Sequence, residues 1–366
     1  MSSPSDFRIE RNVELSEETK EIAERELRET PERVREALER LRELLKENKD
    51  IYFGDEDEIL TIFLRPCKWY PESALALGTF PAVRYNHVQR SVRMGTIGHA
   101  VIIVITKEPL DEASNDNQSD INGVILDPDP DIIPTYTNWM LIKQVIALRD
   151  PMRRAADFKR DNASLLDGLL PEHEKEAFLE HKVVNVMKGR DDKGRRVLIV
   201  NVGGSWNPKK VTADQLFRLF YLIHEAAMLE PESQVRGTVV IMDFHKMGMS
   251  QTMGLTPAFS KRLLTFIQDA LPLRLKEVHF VKEPMIFNMV WKLFKPLIRE
   301  KLKGRIFFHG SNMSSLHKHL APSHLPADYD GVLGPIDYSG ADWYPVVNEV
   351  LPHIQNWNSY GYVKKE

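Results

Sequence analysis

Four short apolar runs, separated by helical segments, constrain the fold of this chain more than any other feature. Each run has the length of one strand: "RRVLIVNVGG" (195–204), "VRGTVVIMDF" (235–244), "EVHFV" (277–281) and "RIFFHG" (305–310). Nearly continuous apolar runs of this kind are typical of strands that are buried on both faces. Because strands alternating with helices favour a largely parallel sheet with right-handed crossovers, we predict an α/β fold after Leu165.

The composition is that of an ordinary globular protein, with 366 residues of which 42% are apolar and 28% are charged. A chain of this length can form one large domain or two smaller ones. The single cysteine, Cys67, excludes internal disulfides, and no apolar run has membrane-spanning length, so we expect a cytoplasmic protein. A net charge of -4 argues against general binding to nucleic acid, which requires a basic excess.

One predicted helix, within "PMIFNMVWKLFKPLIREKLKGRI" (284–306), has an apolar side and a basic side. At helical spacing the apolar side collects Ile286, Met289, Val290, Leu293, Phe294 and Leu297, and the basic side collects Lys292, Lys295, Arg299 and Lys303. Pro296 lies inside the pattern and predicts a kink or a restart of the helix. A local basic patch on a mildly acidic chain suits an anionic surface better than a long polyanion.

The amino-terminal part is predicted to be helical, within 16–49 and again near 57–69 and 71–77. Thr30, followed by Pro31 and Glu32, is typical of a helix start. The segment 78–151 then interrupts a helical pattern that resumes at Met152, and it mixes an apolar run, "AVIIVIT", with turn-rich stretches. We hypothesise that it is an insertion, with retained intron sequence as one origin; the alternative is a genuine elaboration of the helical domain.

The motifs of common α/β enzymes are missing. The sequence contains no phosphate-binding loop, no dinucleotide-binding glycine pattern and no nucleophile elbow. Asp243, at the end of a predicted strand, is expected to cap the turn that follows rather than to act as a catalytic acid. Four histidines cluster near the end of the sequence: His309, His317, His319 and His324. Their spacing is not that of zinc ligands, so we expect no metal site. Because the enzyme motifs are also missing, we expect no enzyme and no cofactor.

The sequence resembles the lipid-binding CRAL-TRIO (Sec14-like) family, in the subgroup of alpha-tocopherol transfer proteins, clavesins and retinaldehyde-binding proteins, and looks most like insect members. The motifs that carry the resemblance are "GRRVLIVNVGGSWNPKKVT", "QVRGTVVIMDF", "LPLRLKEVHFVKEPMIFNMVWKLFKPLIREKLKGRIFFHGSN" and "LPADYDG". Two positions depart from the subgroup pattern, because Lys246 and Asp330 stand where glycine is usual.

The resemblance also divides the chain. It assigns 165–335 to the lipid-binding domain, and 1–77 with 152–164 to the family's helical amino-terminal domain. The segment 78–151 matches nothing in the family, and 336–366 is left as a carboxy-terminal tail. The implied architecture is a largely parallel sheet flanked by helices, with a mobile gate over an apolar pocket.

The resemblance further implies the functional residues. The gate segment is Glu283–Arg305 in this chain. The implied pocket positions are Phe217, Tyr221, His224, Met242, Leu263, Phe266, Ile267, Val278, Ile286, Phe287 and Val290. The implied contacts with phosphoinositides and an anionic membrane surface come from Arg274, Lys301 and Arg305. The basic side of the gate adds Lys292, Lys295 and Arg299. A fourth basic position of the family cluster falls at Cys67 here, beside Lys68.

Together these features favour a carrier that binds a hydrophobic lipid and transfers it between membranes, with release assisted by phosphoinositide. The ligand would be a tocopherol, a retinoid or a carotenoid, with phospholipid as a further class. The protein would be cytoplasmic and reversibly associated with membranes, without nucleic acid and without an identified protein partner. The alternative is a lipid-sensing adaptor whose ligand occupancy controls a partner protein bound to the charged helices 16–49. A lipid hydrolase is disfavoured, since the nucleophile elbow is missing.

Overall fold

The structure is a computed structural model that describes residues 8–11, 13–75, 82–84, 90–97, 100–107, 151–181, 183–337 and 340–363. The chain divides into two compact units, one formed by Met1–Leu75 with Asp150–Glu366 and the other by Ala76–Arg149. The second unit nearly coincides with the segment 78–151, whose origin as an insertion stays a hypothesis.

The described elements alternate between helices and strands along most of the chain. The strands are β1 (Ile51–Tyr52), β2 (Ala82–Arg84), β3 (Arg90–Ile97), β4 (Ala100–Lys107), β5 (Val184–Arg190), β6 (Arg196–Asn201), β7 (Thr238–Asp243), β8 (Leu275–Val281), β9 (Ile306–Phe308) and β10 (Gly361–Tyr362). The α-helices are α1 (Glu17–Ile22), α2 (Pro31–Glu47), α3 (Asp57–Leu64), α4 (Pro71–Ala74), α5 (Pro151–Asp161), α6 (Ala163–Leu166), α7 (Lys175–Glu180), α8 (Ala213–Ala227), α9 (Pro231–Arg236), α10 (Met249–Gly254), α11 (Pro257–Thr265), α12 (Phe287–Phe294), α13 (Glu300–Lys303), α14 (Met313–Leu316), α15 (Gly340–Glu349) and α16 (Leu351–Ser359).

The central sheet of the first unit has five strands in the order β5-β6-β7-β8-β9. The strands β6 to β9 are parallel, and β5 adds an antiparallel edge. The predicted α/β fold with a largely parallel sheet is therefore confirmed. Because each right-handed crossover moves the chain one strand further in the same direction, the crossover helices collect on one face of the sheet.

The opposite face of the sheet, which we call the packed face, is closed by the chain that follows β9. Alternate strand residues such as Val197, Ile199, Val239 and Ile241 point to this face and are at most 1% exposed. They pack against buried side chains from α14 and the following turns: Met313, Leu316, Leu320, Leu325 and Tyr329. The packed face is therefore filled by protein side chains.

The helix starts follow local sequence. Thr30 accepts a hydrogen bond from the Arg33 amide at the start of α2, where Pro31 occupies the first helical position. Thr212 and Gln215 form a reciprocal capping box at the start of α8. These caps hold the first turns of two helices whose inner sides are buried.

The gate segment is broken as Pro296 predicts. The helix α12 ends at Phe294, a 3₁₀ turn covers Lys295–Leu297, and α13 starts at Glu300. The predicted apolar side is partly wrong, however, because Met289 is 56% exposed and Leu297 is 41% exposed. The inward residues are Phe287, Val290, Trp291 and Phe294, so the inner side of α12 is rotated by about one residue from the predicted side.

The segment 336–366, to which the sequence analysis assigned no elements, contains α15, α16 and β10. The Trp343 indole donates to Asn185 Oδ1 on β5. The Trp357 indole stacks on Phe63 of α3, with ring centroids 5.8 Å apart. These two tryptophans fasten the carboxy-terminal helices to the sheet and to the amino-terminal helices.

Both positions at which a usual glycine is replaced have left-handed backbone conformation. Lys246 has φ = 57° and Asp330 has φ = 53°. A non-glycine residue costs about 1 kcal/mol or more in this region. The chain therefore keeps the loop geometry that glycine favours, although the residues differ.

In the second unit the described backbone forms an antiparallel sheet of β2, β3 and β4. The apolar run "AVIIVIT" lies in β4, which pairs with β3 along its whole length, from Lys107 opposite Arg90 to Ala100 opposite Ile97. The predicted turn-rich stretches lie outside the described residues. Among the described helices of the whole chain, none is long and apolar enough to cross a membrane.

Candidate functional site

A large apolar cavity lies on the face of the sheet opposite the packed face. It contains about 980 Å³ of space between the surrounding atoms, its mouth included. Because that space extends into open solvent at the mouth, the chemistry of the lining side chains, and not the volume, indicates which ligands the cavity suits.

The cavity wall is almost entirely apolar. Apart from the His224 imidazole and the Trp291 indole, the described side chains that line it are aliphatic residues, methionine and phenylalanine. They are Val202, Phe220, Val240, Met242, Phe244, Leu255, Phe259, Leu263, Leu264, Phe266, Ile267, Leu271, Leu275, Val278, Phe280, Phe287, Val290, Phe294, Ile298, Leu302 and Ile306. Such a wall offers dispersion and burial but few hydrogen bonds.

The positions of these side chains follow from the two periodicities of the elements. Val240 and Met242 alternate along β7 with residues of the packed face, and Val278 and Phe280 do the same along β8. Phe220 and His224 lie one helical turn apart on α8. The gate segment closes the cavity with Phe287, whose ring is centred 4.5 Å from that of Phe244.

The cavity brings together most of the pocket residues implied by the family resemblance. The eight that line it are His224, Met242, Leu263, Phe266, Ile267, Val278, Phe287 and Val290. Phe217 lies outside the wall, packed between Phe158 and Phe266. Tyr221 lines a smaller cavity beside Trp357, and Ile286 is half-buried outside the wall. Their roles in ligand binding stay predictions.

His224 is the imidazole in this wall, and its hydrogen bonding fixes its chemistry. Its Nδ1 lies 2.6 Å from the Phe220 carbonyl oxygen, which can only accept, so Nδ1 carries the proton. Burial lowers the pKa of His224, which keeps the ring neutral. Nε2 therefore has a lone pair that can accept a hydrogen bond at the cavity wall.

A second cavity of about 540 Å³ shares His224 and Val240 with the first. Part of its wall comes from α15 through Trp343, Val346 and Val347. This contribution was not predicted from the sequence, although the spacing of these three residues is helical. His224 thus stands where the two cavities meet.

Behind the main cavity lies a buried acid. Glu225 is 2% exposed, and neither of its carboxylate oxygens has a hydrogen-bond partner. Burial raises the pKa of Glu225, and burial lowers the pKa of Lys159 nearby. The Lys159 ammonium instead donates to the carbonyl oxygens of Trp357 and Tyr360. This pair connects α5, α8 and the carboxy-terminal helix.

The predicted basic residues fall into two groups. In the first group, Lys301 lies close to Arg305 and Arg274. Burial lowers the pKa of Lys301, and the positive charges of the nearby arginines lower it further. Arg274 is already paired with Glu26 at 2.6 Å. On the gate, Lys292 and Lys295 are exposed, whereas Arg299 pairs with Asp269 at 2.5 Å.

Two other sequence predictions can be located. Asp243 accepts a hydrogen bond from the His245 amide at 2.8 Å, as expected for a turn cap, and also pairs with Lys282. Cys67 is buried, so it does not extend the cationic surface.

The comparisons with known proteins agree with this architecture. The family model described as the CRAL/TRIO domain matches residues 180–331. This part of the chain is similar to a CRAL/TRIO domain. The match includes the sheet, the main cavity's strands and the whole gate segment, and it ends before α15 and α16.

Curated relatives of the CRAL/TRIO domain include clavesins and tocopherol transfer protein-like proteins. Clavesin-1 of Rattus norvegicus is 33% identical over 152 residues, which is 42% of this chain and 43% of the relative. The alpha-tocopherol transfer protein-like protein of Homo sapiens is 33% identical over 164 residues, 45% of this chain and 47% of the relative. The chain thus spans less than half the length of these curated relatives. The crystal structure of Sfh5 is similar with a TM-score of 0.38 and 17% identity, over 56% of this chain and 69% of that chain.

The burial of α12 predicts which of its residues hold the gate in place. Phe287→Ala removes a ring that is 5% exposed, and we expect it to lower the free energy of unfolding by about 3 kcal/mol. Met289→Ala, on the exposed side, should change it by less than about 0.5 kcal/mol. Urea unfolding of both variants measures the difference. Equal losses would contradict the observed orientation of α12.

Proposed function

We propose that this protein binds an apolar lipid in the main cavity and carries it between membranes, without covalent chemistry. The observation that carries the proposal is the cavity wall, which is apolar apart from one imidazole and one indole. An interior of this kind excludes water-soluble metabolites, because their polar groups would lose hydrogen bonds to water without replacement. A long hydrocarbon ligand loses nothing comparable and gains burial.

The outer side of the gate supports exchange at a membrane. Met285 is 90% exposed and Met289 is 56% exposed, and the adjoining helix α10 adds Met249 and Met253 at 54% and 73%. Large exposed apolar side chains in one area are typical of an interaction surface. Inserted among acyl chains, each contributes up to about 1.5 to 3 kcal/mol. The gate therefore has one apolar side that faces the ligand and a second apolar side that can insert into the bilayer.

The break in the gate supplies a place where it can move. Residues 295–297 form a 3₁₀ turn around Pro296, so the backbone hydrogen bonds of α12 do not continue into α13. Rotation about this turn would lift Phe287 and Val290 from the cavity while the packed face stays intact. We propose this movement as the route by which the lipid enters and leaves.

The cationic residues support release at an anionic surface. Lys292 and Lys295 are exposed on the gate, and Lys301 and Arg305 lie beside Arg274 and Arg154. Cations that repel one another are stabilised by a multivalent anion such as a phosphoinositide head group. Each cation near such a surface contributes about 1 kcal/mol to membrane binding. Phosphoinositide-assisted release is therefore part of the proposal.

The wall suggests the polar group of the ligand. Because His224 donates through Nδ1, its Nε2 can only accept, and it suits a ligand hydroxyl better than a carbonyl. A hydrocarbon with one hydroxyl, such as a tocopherol or a retinoid alcohol, fits this wall. One relative is named for alpha-tocopherol, which agrees with that ligand class.

A transfer assay tests the function directly. We expect the full chain to move tocopherol from donor to acceptor vesicles, and Leu263→Trp to lower uptake at least about tenfold by filling the cavity. Val332→Trp is the matched control, since Val332 is 76% exposed and outside the wall. Uptake without transfer would favour the lipid-sensing adaptor, and the absence of uptake for every lipid class named above would refute the proposal.

The hydroxyl preference is a separate prediction. Tocopherol should bind roughly tenfold more tightly than its methyl ether, because one hydrogen bond contributes about 1 to 1.5 kcal/mol. In His224→Leu the two ligands should bind equally well, at the affinity of the ether. Fluorescence titration measures both. An unchanged preference in the variant would assign the hydroxyl to another partner.

The phosphoinositide prediction uses neighbouring basic residues. Lys301→Gln and Arg305→Gln should each weaken binding to vesicles that contain phosphatidylinositol bisphosphate about fivefold, the equivalent of about 1 kcal/mol. Lys303→Gln is the control on the same helix, because Lys303 already pairs with Glu300. Vesicle co-sedimentation measures the binding. A loss as large in Lys303→Gln would indicate general charge attraction instead of a head-group site.

A further inference from the structure

Three histidines and a glutamate meet on the packed face, away from the lipid cavity. Glu277 and His279 lie two residues apart on β8 and therefore point to the same face. His309 follows β9, and His319 follows α14. The His279 ring is centred 5.2 Å from that of His309 and 5.1 Å from that of His319. Of the histidines that cluster in sequence, only His309 and His319 belong to this group.

The hydrogen bonds of this cluster leave one buried atom without a partner. His309 Nδ1 lies 2.9 Å from Ser315 Oγ, and its Nε2 lies 3.0 Å from His279 Nδ1. His279 is 0% exposed, and its Nε2 has no hydrogen-bond partner. Glu277 Oε2 lies 3.4 Å from this nitrogen, without a hydrogen bond of ordinary geometry. A buried polar atom in this state calls for an unassigned partner.

The donor atoms around that position have the spacing of metal ligands. His279 Nε2 lies 3.4 Å from Glu277 Oε2, and His319 Nδ1 lies 3.5 Å from Glu277 Oε1. Tetrahedral Zn²⁺ with bonds of about 2.0 to 2.1 Å separates its ligand atoms by roughly 3.3 Å. One ligand atom from each of the three residues lies within 4.8 Å of the others. Small side-chain adjustments bring all three into coordination distance.

The charges around the cluster permit an ion. Arg195 donates to Glu277 Oε2 at 2.8 Å, but it also pairs with Asp191 at 2.6 Å, so its charge is shared. Glu277 Oε1 remains directed toward His319. Metal ligation would use the carboxylate of Glu277 and neutral imidazoles of the histidines.

We propose that Glu277, His279 and His319 bind a divalent transition-metal ion, with Zn²⁺ preferred. His309 would support His279 from its second ring nitrogen, as is usual for metal-bound histidine. The side chains of Glu277 and His319 are 20% and 25% exposed, which gives the ion a path from solvent and leaves room for a water ligand. The site does not depend on the proposed lipid function.

Such an ion would join two parts of the fold. Glu277 and His279 belong to β8 of the five-stranded sheet, whereas His319 belongs to the segment that closes the packed face. A bound ion would therefore hold the segment after β9 on the sheet, and it would stabilise the folded chain in proportion to its concentration.

Metal titration of the full chain, purified without a polyhistidine tag, tests the proposal. We expect one Zn²⁺ per chain in competition with a chromophoric chelator, and the intense visible absorption of four-coordinate Co²⁺ when Co²⁺ replaces it. Glu277→Gln and His319→Gln should each lower the affinity by more than about 100-fold, beyond the effect of a supporting residue. Both positions are partly exposed, so these variants should fold, which circular dichroism checks.

Two further variants separate this site from adventitious binding. His181→Gln removes an exposed trio, Glu176, Glu180 and His181, that also has metal-ligand spacing. His317→Gln replaces a neighbouring histidine that bonds to the Tyr329 carbonyl oxygen instead. Both should keep the Zn²⁺ affinity and the Co²⁺ spectrum. Loss of binding in His181→Gln alone, or no binding by the unsubstituted chain, would overturn the proposal.

Discussion

The need to bury both faces of one parallel sheet determines most of this structure. The strands β6 to β8 carry apolar side chains on both faces, so each face must be covered by other parts of the chain. On the packed face, the segment after β9 fits its side chains directly between those of the strands. On the other face, the crossover helices and the gate segment enclose the main cavity together with the strands. The cavity is the space that these coverings do not fill.

The same constraint explains why the gate has apolar residues on both sides. Phe287 and Val290 are needed inside, because they cover strand side chains that would otherwise be exposed. Met285 and Met289 have no such role within the described structure, and they remain exposed at 90% and 56%. An apolar outer side is unfavourable in water and is consistent with a surface that meets another apolar phase. The break at Pro296 limits the helix to the part that covers the cavity.

Polar groups within the two faces are few, and each has a defined environment. His224 donates to a carbonyl of its own helix, which leaves an acceptor at the junction of the two cavities. His279 on the packed face bonds to His309 through one nitrogen and makes no hydrogen bond through the other. Since an unpartnered buried polar atom typically costs about 1 to 3 kcal/mol, an ion at His279 would add stability.

The sequence by itself determined the four parallel strands β6 to β9, the starts of α2 and α8 and the break in the gate. The apolar runs lie in β6 to β9, Thr30 and Thr212 cap their helices, and Pro296 interrupts α12 because it lacks an amide proton. These features depend on residues that are near one another in the chain. The family resemblance placed eight residues in the cavity wall, but periodicity alone did not separate them from ordinary core, since both consist of apolar side chains.

Only the tertiary structure decided the rest. In α12, Phe287 is buried and Met289 is exposed. Packing against the sheet, and not the sequence pattern of this short helix, determines which of its sides faces inward. The carboxy-terminal helices are stabilised by Trp343 and Trp357 through partners 158 and 136 residues away, and no local pattern specifies such contacts. Glu277, His279 and His319 come from two separate elements and meet only when the chain folds over β8. Local chemistry sets which elements form, whereas long-range packing sets which side chains meet.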